Sequence, residues 1–190
     1  FNSEAYSTVS GQNSNNSVRL TDEFMKAVED DGDWQTINRT TNEVHETHKA
    51  RDVYTKICEA AWSCADPGIQ YDSTINGWHT CANTAPIRAS NPCSEFMFVD
   101  DSACNLASLN LEKFFNNGTF DVTRFKNACR VFLLAQDILV DFSSYPTEQI
   151  ARNSHEFRPL GLGYANLGTL LMLAGYPYDS TKGRAVAGLV

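Results

Sequence analysis

The chain has 190 residues, of which 42% are hydrophobic and 20% charged, and its formal net charge is −8. This composition predicts a single globular domain with a buried core. The acidic balance argues against nucleic-acid or membrane-surface binding, and no apolar run is long enough to span a bilayer. Six cysteines without a CxxC pair predict no structural metal site and a reducing, cytoplasmic location.

The chain opens with a Ser- and Asn-rich loop over residues 1–17. A short strand is predicted at Val18–Leu20, and Thr21 is placed to cap the helix that follows. The last residues break off inside an apolar run, and the first residue is not a methionine. We therefore expect the sequence to be part of a larger protein.

Apolar residues at three- and four-residue spacing predict a helix from His45 to Cys64, stopped by the Asp66-Pro67-Gly68 sequence. His45 and His48 would lie on its first turns, three residues apart. They could share a metal ion, but no third ligand is spaced to join them. A solvated histidine pair is the favoured interpretation.

Residues 66–92 are rich in turn formers and predict a long ordered loop. His79 in this loop is a candidate acid–base group, although a histidine that bonds backbone atoms is the favoured interpretation. Glu95–Val99 is predicted to be a strand, and Leu106–Leu111 a strand or a helical turn. Cys58 and Cys129 fall in helical patterns, where small thiols are commonly buried.

The clearest helix is predicted from Asp121 to Phe142. Its buried face is predicted to comprise Val122, Phe125, Cys129, Phe132, Leu133, Ile138 and Leu139. A buried strand at Arg158–Gly163 and a helix from Tyr164 to Leu173 follow. The spacing of the glycines in this region does not match a dinucleotide-binding fingerprint, so they are predicted to allow close strand–helix packing. Helices alternating with short apolar strands indicate an α/β fold.

The stretch whose side chains are best suited to catalysis is Asn91-Pro92-Cys93-Ser94-Glu95. Pro92 favours an extended conformation for the residue before it. In an extended chain, alternate side chains share a face, so Asn91, Cys93 and Glu95 are predicted to point to one side. An amide, a thiol and a carboxylate would then face one substrate.

The spacing alone leaves three interpretations of Cys93 open. It could be an ionic nucleophile, but His79 is the only histidine nearby in sequence and a neighbouring carboxylate disfavours the thiolate. It could be a one-electron centre, for which a neutral thiol is suitable. It could also be a structural cysteine in a loop.

Longer stretches of the chain that resemble a known enzyme family favour the one-electron interpretation. The stretch NPCSEFMFVDDSACNLASLNL closely resembles the finger-loop region of ribonucleotide reductases of the adenosylcobalamin-dependent (class II) type. Further similar segments occur in the same order, namely SGQNSNNSVRLTDEFM, ICEAAWSCADPGIQYDSTINGWHTCANTAPI and FRPLGLGYANLGTLLM. The resemblance therefore extends over nearly the whole chain.

The resemblance implies a role for each residue that matches the motif. Cys93 matches the cysteine that becomes a thiyl radical and removes the hydrogen from C3′ of the ribonucleotide. Glu95 matches the proton acceptor for the 3′-hydroxyl, and Asn91 matches the amide that bonds the ribose hydroxyls. Cys104 matches one of two redox-active cysteines, whose partner would lie upstream of residue 1. Residues Ser10, Gly11 and Gln12 fall where the family has the loop linking effector and substrate base.

The resemblance also implies an architecture and partners. The chain would form part of a ten-stranded α/β barrel, with residues 1–17 in the specificity-loop region, 86–111 in the finger loop and 155–190 at the start of the second half-barrel. The complete enzyme would be a ribonucleoside-diphosphate reductase, and a ribonucleoside triphosphate is the alternative substrate. It would use adenosylcobalamin, dNTP or ATP effectors and a thioredoxin-like reductant, and would be a homodimer. The isolated chain is expected to be inactive.

The sequence leaves three alternatives to a cobalamin-dependent reductase. A class I reductase would receive its radical from a separate metal-containing subunit. An inactive fragment, such as one product of a split gene, would serve only as an assembly partner for the rest of the reductase chain. A cysteine hydrolase would form a thioester and would not depend on cobalamin.

Overall fold

The computed structural model describes residues 4–190, which divide between Asp100 and Asp101 into two compact units. Both units combine helices with short strands, which confirms the predicted α/β class. The strands of the described residues pair as four two-stranded sheets. Among residues 4–190, no helix combines the length and apolar character needed to cross a membrane.

The first unit contains four helices and four strands among its described residues. In chain order they are α1 (Ala5–Thr8), β1 (Ser17–Leu20), α2 (Asp22–Glu29), β2 (Asp33–Ile37), β3 (Val44–Lys49), α3 (Ala50–Cys64), β4 (Gly68–Tyr71) and α4 (Asp72–Gly77).

Strand β1 and helix α2 form as the sequence predicts. The Thr21 side chain accepts a hydrogen bond from the Phe24 amide and caps α2. Strand β1 pairs in parallel with β4, the arrangement expected when helices connect two strands. Leu20, Phe24 and Ala50 form the buried centre of the unit, and the Trp34 ring packs edge-on against Phe24 at 5.0 Å.

The helix predicted to begin at His45 is wrong over its first five residues. Residues 44–49 form β3, which pairs antiparallel with β2, and α3 begins only at Ala50. The periodicity was misleading because the hairpin is held by cross-strand pairs, including a 2.7 Å ion pair between Lys49 and Asp33. His48 Nε2 lies 3.0 Å from a Glu46 carboxylate oxygen, and no metal-binding cluster occurs among the described residues.

The segments on both sides of Cys93 also differ from the prediction. Residues 66–92 are not wholly irregular, because β4 and α4 lie within them. The strand predicted at Glu95–Val99 does not form, and Met97 makes only an isolated bridge to Ser90. The apolar side chains there pack as a cluster instead, with the Phe96 and Phe98 rings 5.9 Å apart.

The second unit also combines helices with parallel and antiparallel strand pairs. In chain order its elements are β5 (Asn105–Asn110), a 3₁₀ turn (Leu111–Phe114), β6 (Phe115–Asn116), β7 (Thr119–Phe120), α5 (Val122–Phe142), α6 (Glu148–Phe157), β8 (Leu160–Ala165), α7 (Leu167–Leu173) and α8 (Thr181–Leu189). Strands β5 and β8 pair in parallel across the α5–α6 connection. The strand alternative for Leu106–Leu111 is thereby confirmed, whereas the helix predicted from Tyr164 begins at Leu167.

The long helix α5 has the predicted bounds, but its predicted buried face is wrong. Gln136 and Val140 are its buried residues, whereas five of the seven predicted positions are about half exposed: Val122, Phe132, Leu133, Ile138 and Leu139. Only one side of α5 lies on the β5–β8 pair, and two strands are too narrow to cover more of the helix. Cys58 on α3 is likewise exposed, while Cys129 on α5 is partly buried.

Arg158 joins the C-terminus of α6 to α5. Its Nε donates to Asp137 Oδ1 at 2.7 Å, and its Nη1 donates to Asp141 Oδ1 at 2.8 Å. The hydrogen bond from Arg158 holds the pKa of the Asp141 carboxyl below its usual value. Because the folded pKa is lowered, the ion pair contributes stability above the ordinary aspartate pKa, near 4, and loses it as pH falls further.

We therefore expect Asp141→Asn to lower the thermal unfolding midpoint at neutral pH, with the difference from wild type narrowing as pH falls below about 4. Asp179→Asn is the matched control. Asp179 also pairs with an arginine, Arg184, but its side chain is 93% exposed, so solvent screens the pair. Equal midpoints for wild type and Asp141→Asn at neutral pH would contradict this role.

Candidate active site

Cys93 lies in a tight turn and not in an extended strand. The Ser94 amide donates to the Asn91 carbonyl at 3.1 Å, and Ser94 has a left-handed φ of 64°. The predicted extended geometry of Asn91–Glu95 is therefore wrong. Pro92 follows the first residue of the turn, where its fixed φ favours chain reversal. The predicted alternation of side chains does not apply, although the three candidate residues remain within one five-residue segment.

The turn presents its thiol to solvent. Cys93 and Glu95 are exposed, whereas Asn91 is half-buried. Asn91 Oδ1 accepts a 2.9 Å hydrogen bond from the Phe96 amide, which fixes the orientation of the side chain. The Nδ2 group is then the end of this amide that can donate to a ligand. A donor, a thiol and a carboxylate thus lie within one five-residue segment.

A buried glutamine lies beneath this turn. Gln70 on β4 is 5% exposed, and its Nε2 donates to Ser90 Oγ at 2.6 Å and to Ser94 Oγ at 3.3 Å. Ser90 Oγ donates in turn to the Asn91 carbonyl at 2.7 Å. That carbonyl is the acceptor that closes the turn, so Gln70 supports the turn through Ser90.

Arg19 on β1 fixes Gln70 from the other side. Its Nη1 donates to Gln70 Oε1 at 2.9 Å, and its Nε donates to Asp72 Oδ1 at 2.8 Å. Its Nη2 also reaches the Ile87 carbonyl at 3.0 Å. The parallel pair β1–β4 is thereby connected, through side chains, to the segment that carries Cys93.

A polar cavity of about 460 Å³ opens beside the turn. Asn91 and Pro92 lie on its wall, together with Arg19, Gln70 and Arg88. Asn13 and Asn15, just before β1, and three small residues complete the lining, namely Ser17, Ala89 and Ser90. Amide and guanidinium donors with few apolar neighbours suit a ligand rich in oxygen and nitrogen acceptors.

His79 bonds the backbone, as the favoured interpretation predicts. Its Nε2 lies 2.9 Å from the Ala85 carbonyl, and its Nδ1 accepts from the Cys81 amide at 3.4 Å. With Nδ1 accepting, Nε2 carries the proton and donates to Ala85, which is the neutral tautomer. This histidine holds the loop, so the structure gives it no role as the base of a cysteine nucleophile.

Cys104 lies in the second unit, immediately before β5. It is partly buried, and its Sγ donates to the Asn105 carbonyl at 3.6 Å. None of the six cysteines forms a disulfide.

The three N-terminal candidate residues form an exposed turn between α1 and β1. Gly11 has a φ of 84°, its carbonyl accepts from the Ser14 amide at 3.1 Å, and Gln12 Nε2 donates to the Val9 carbonyl at 3.2 Å. Ser10 is exposed beside them. The turn leads directly into Asn13 and Asn15, which line the polar cavity.

Sequence reasoning missed the supporting residues Arg19, Gln70, Ser90 and Ser94. Arg19 carried a weak signal, because it is a charged residue between Val18 and Leu20 in a predicted strand. Gln70 carried none, since its position was assigned to a loop. Its function depends on a strand pairing that brings residues 51 positions apart into contact.

The family model of the ribonucleotide reductase barrel domain matches residues 2–190. The chain is 58% identical, over 99% of its length, to a vitamin B12-dependent ribonucleotide reductase of Rhodopirellula baltica, and 56% identical over 99% to one of Bradyrhizobium diazoefficiens. It is 33% identical, over 88% of its length, to a vitamin B12-dependent ribonucleoside-diphosphate reductase of Mycobacterium tuberculosis. It covers 18%, 15% and 24% of these relatives, respectively.

Proposed function

Because the chain belongs to the ribonucleotide reductase barrel-domain family, we propose that it is the active-site segment of a cobalamin-dependent enzyme that reduces ribonucleotides to 2′-deoxyribonucleotides. The observation that carries the proposal is the Asn91–Glu95 segment, in which an exposed thiol and an exposed carboxylate lie close in sequence to Asn91, an amide on the wall of a polar cavity. The names of the relatives favour the cobalamin-dependent class over a class I enzyme.

We assign the ribose chemistry to the residues of the turn. Cys93, as a thiyl radical, takes the hydrogen atom from C3′, which restores its S–H bond and leaves the radical on the sugar. Glu95 accepts the proton of the 3′-hydroxyl while the 2′-hydroxyl leaves as water. Asn91 donates from Nδ2 to a ribose hydroxyl and holds the ring against the thiol.

Two thiols act as the reductant of the ribonucleotide. Cys104 and a second cysteine outside this chain supply two electrons and two protons, and they end as a disulfide. One ribonucleotide and two thiols thus give one deoxyribonucleotide, one disulfide and one water. At the end, Cys93 returns the same hydrogen atom to the C3′ radical of the product. The S–H bond breaks, the C3′–H bond forms, and the radical is restored on the Cys93 sulfur.

Adenosylcobalamin, when bound, supplies the one-electron oxidation that converts the Cys93 thiol to the thiyl radical. The part of this chain that would meet the cofactor is the tip of the turn. Cys93 suits that role because it is exposed and its segment is held from beneath by Gln70.

The substrate class and partners follow from the same assignment. The name of the Mycobacterium tuberculosis relative favours a ribonucleoside diphosphate. The Ser10–Gln12 turn leads into the lining of the cavity, which supports a role in coupling dNTP or ATP effectors to the substrate base. We further propose a ten-stranded barrel, a homodimer and a thioredoxin-like reductant for the complete cytoplasmic enzyme. Highly exposed apolar residues such as Trp62 and Phe142 are surfaces that the remaining chain would cover.

The function is tested by product stoichiometry in the complete enzyme. Prereduced enzyme is mixed anaerobically with a ribonucleoside diphosphate, an effector and adenosylcobalamin, without external dithiol. We expect deoxyribonucleotide to form together with loss of two thiols per product, and continuous turnover only after a dithiol is added. Absence of deoxyribonucleotide under both conditions would contradict the proposal and favour the inactive-fragment alternative.

Gln70→Leu is expected to lower kcat of the complete enzyme about 10- to 100-fold with little change in KM. The substitution removes the acceptor of Arg19 Nη1 and the amide donor to the Ser90 and Ser94 hydroxyls. The turn that carries Cys93 then loses its fixed position. Gln35→Leu makes the same change at an exposed position on β2 and should leave kcat unchanged. A wild-type kcat in Gln70→Leu would show that the turn does not need this support.

A further inference from the structure

We infer that Gln136 is a positioning residue for the Cys104 thiol, and that the missing side chain of Gly161 leaves the space in which that thiol lies. The inference rests on the proposed redox function of Cys104 and adds two residues to it. Neither residue belongs to the motif that carries Cys104.

Gln136 joins α5 to both strands of the β5–β8 pair. It is 3% exposed, and its Nε2 donates to the Asn105 carbonyl at 3.0 Å and to the Gly161 carbonyl at 2.8 Å. Asn105 Nδ2 returns a bond to the Gln136 carbonyl at 3.1 Å. Asn105 is the first residue of β5 and Gly161 is the second residue of β8, so one amide group holds the starts of both strands.

The Asn105 carbonyl connects this amide to the thiol. Cys104 directly precedes Asn105, and its Sγ donates to the same carbonyl oxygen that accepts from Gln136. A carbonyl oxygen has two lone pairs and can accept both bonds. Fixing this carbonyl therefore fixes the acceptor towards which the thiol is directed.

Gly161 lies close to the thiol. A Cβ at Gly161 would lie 3.3 Å from Cys104 Sγ and 2.3 Å from Leu106 Cδ2. The Leu106 side chain is 68% exposed, so its end can swing away without disturbing the strand pair. The sulfur, bonded to Asn105, has less freedom, and an added methyl group would crowd it.

The side chain of Gln136 is suited to holding the two carbonyl groups because its amide can donate hydrogen bonds to both. Leucine would fill a similar volume but would offer no donor to the two carbonyl oxygens that Gln136 joins. Buried polar groups that lose a partner are costly, so the ends of the strands would shift to find new donors. The Asn105 carbonyl, and with it the Cys104 thiol, would move.

The two residues predict opposite changes in the accessibility of the thiol. In the prereduced complete enzyme, without substrate or cofactor, iodoacetamide labelling of Cys104 is followed by mass spectrometry. We expect Gln136→Leu to accelerate labelling roughly tenfold, because the Asn105 carbonyl that accepts from the thiol loses its fixed position. Gly161→Ala should slow labelling, because the methyl group covers the sulfur. Gln149→Leu, at an exposed position on α6, is the matched control and should label at the wild-type rate.

Turnover supplies a second readout. Gln136→Leu should lower kcat roughly tenfold at unchanged KM, since Cys104 acts after the substrate has bound. Labelling rates equal to those of Gln149→Leu in both variants would overturn the inference. A change of the labelling rate in the same direction in both variants would also overturn it, because it would indicate a general loosening of the structure around the thiol. The labelling assay needs no turnover. Full activity of Cys104→Ser would instead reject the proposed redox function, whatever the labelling shows.

Discussion

Replacing Cys93 by alanine is expected to abolish deoxyribonucleotide formation by the complete enzyme. Alanine has no hydrogen atom that can be exchanged reversibly with C3′, so the first chemical step has no route. Cys93→Ser should be equally inactive, because the O–H bond is stronger than the S–H bond and an alkoxyl radical is not formed in its place. The exposed position of Cys93 in the turn predicts that neither variant disturbs folding.

The control is Cys58→Ala, which removes another exposed thiol of the same chain. It should retain wild-type turnover. The measurement is deoxyribonucleotide formed under anaerobic conditions with saturating dithiol and effector. Turnover by Cys93→Ala above the background of the boiled enzyme would exclude Cys93 as the radical residue.

Glu95→Gln should lower kcat about 10²- to 10⁴-fold, the range expected for loss of a general base. Glutamine is close in size to glutamate but cannot accept the proton of the 3′-hydroxyl. Because the amide can still bond a hydroxyl group, substrate binding should be largely retained and KM should change little. Glu95 is exposed beside the turn, so the effect is not expected to come from lost stability.

Glu59→Gln provides the matched control, since Glu59 is an exposed glutamate on α3 of the same unit. Both variants carry the same change of charge. Steady-state kinetics over a range of ribonucleotide concentrations separates kcat from KM. Equal kcat values for Glu95→Gln and Glu59→Gln would reject the proton-acceptor assignment.

The elements that the sequence predicted well are those with strong local signals. Thr21 and Asp121 both cap the helices that follow them, through side chains that accept backbone amides. Such caps depend on residues three positions apart and can be read directly. Strand β5 was predicted only as one of two alternatives, because a six-residue apolar segment fits both periods.

The errors arose where distant parts of the chain decide the local conformation. Residues 44–49 became a strand because β2 pairs with them, and no pattern within the segment required that pairing. The buried side of α5 was misjudged because the seven positions were chosen for their apolar character, and Val140 was not among them. The strand pair covers only the side that carries Gln136 and Val140. Tertiary contacts outweighed periodicity in both cases.

In the candidate site, too, the features close in sequence were predicted and those that depend on distant residues were not. Asn91, Cys93 and Glu95 were found because they are close in sequence and chemically distinct. Their conformation was predicted wrongly, since Pro92 suits a turn as well as an extended chain. The buried support from Gln70 was not predictable, because it requires the parallel pairing of β1 with β4 and a hydrogen bond across 20 residues to Ser90.

The cobalamin requirement of the complete enzyme tests the proposed chemistry most directly. Deoxyribonucleotide formation is measured anaerobically with ribonucleoside diphosphate, effector and dithiol, in the presence and absence of adenosylcobalamin. We predict product only when the cofactor is present, and none from Cys93→Ala in either condition. Product formed by wild-type enzyme without adenosylcobalamin would contradict the assignment and would favour a radical delivered by a separate metal-containing subunit.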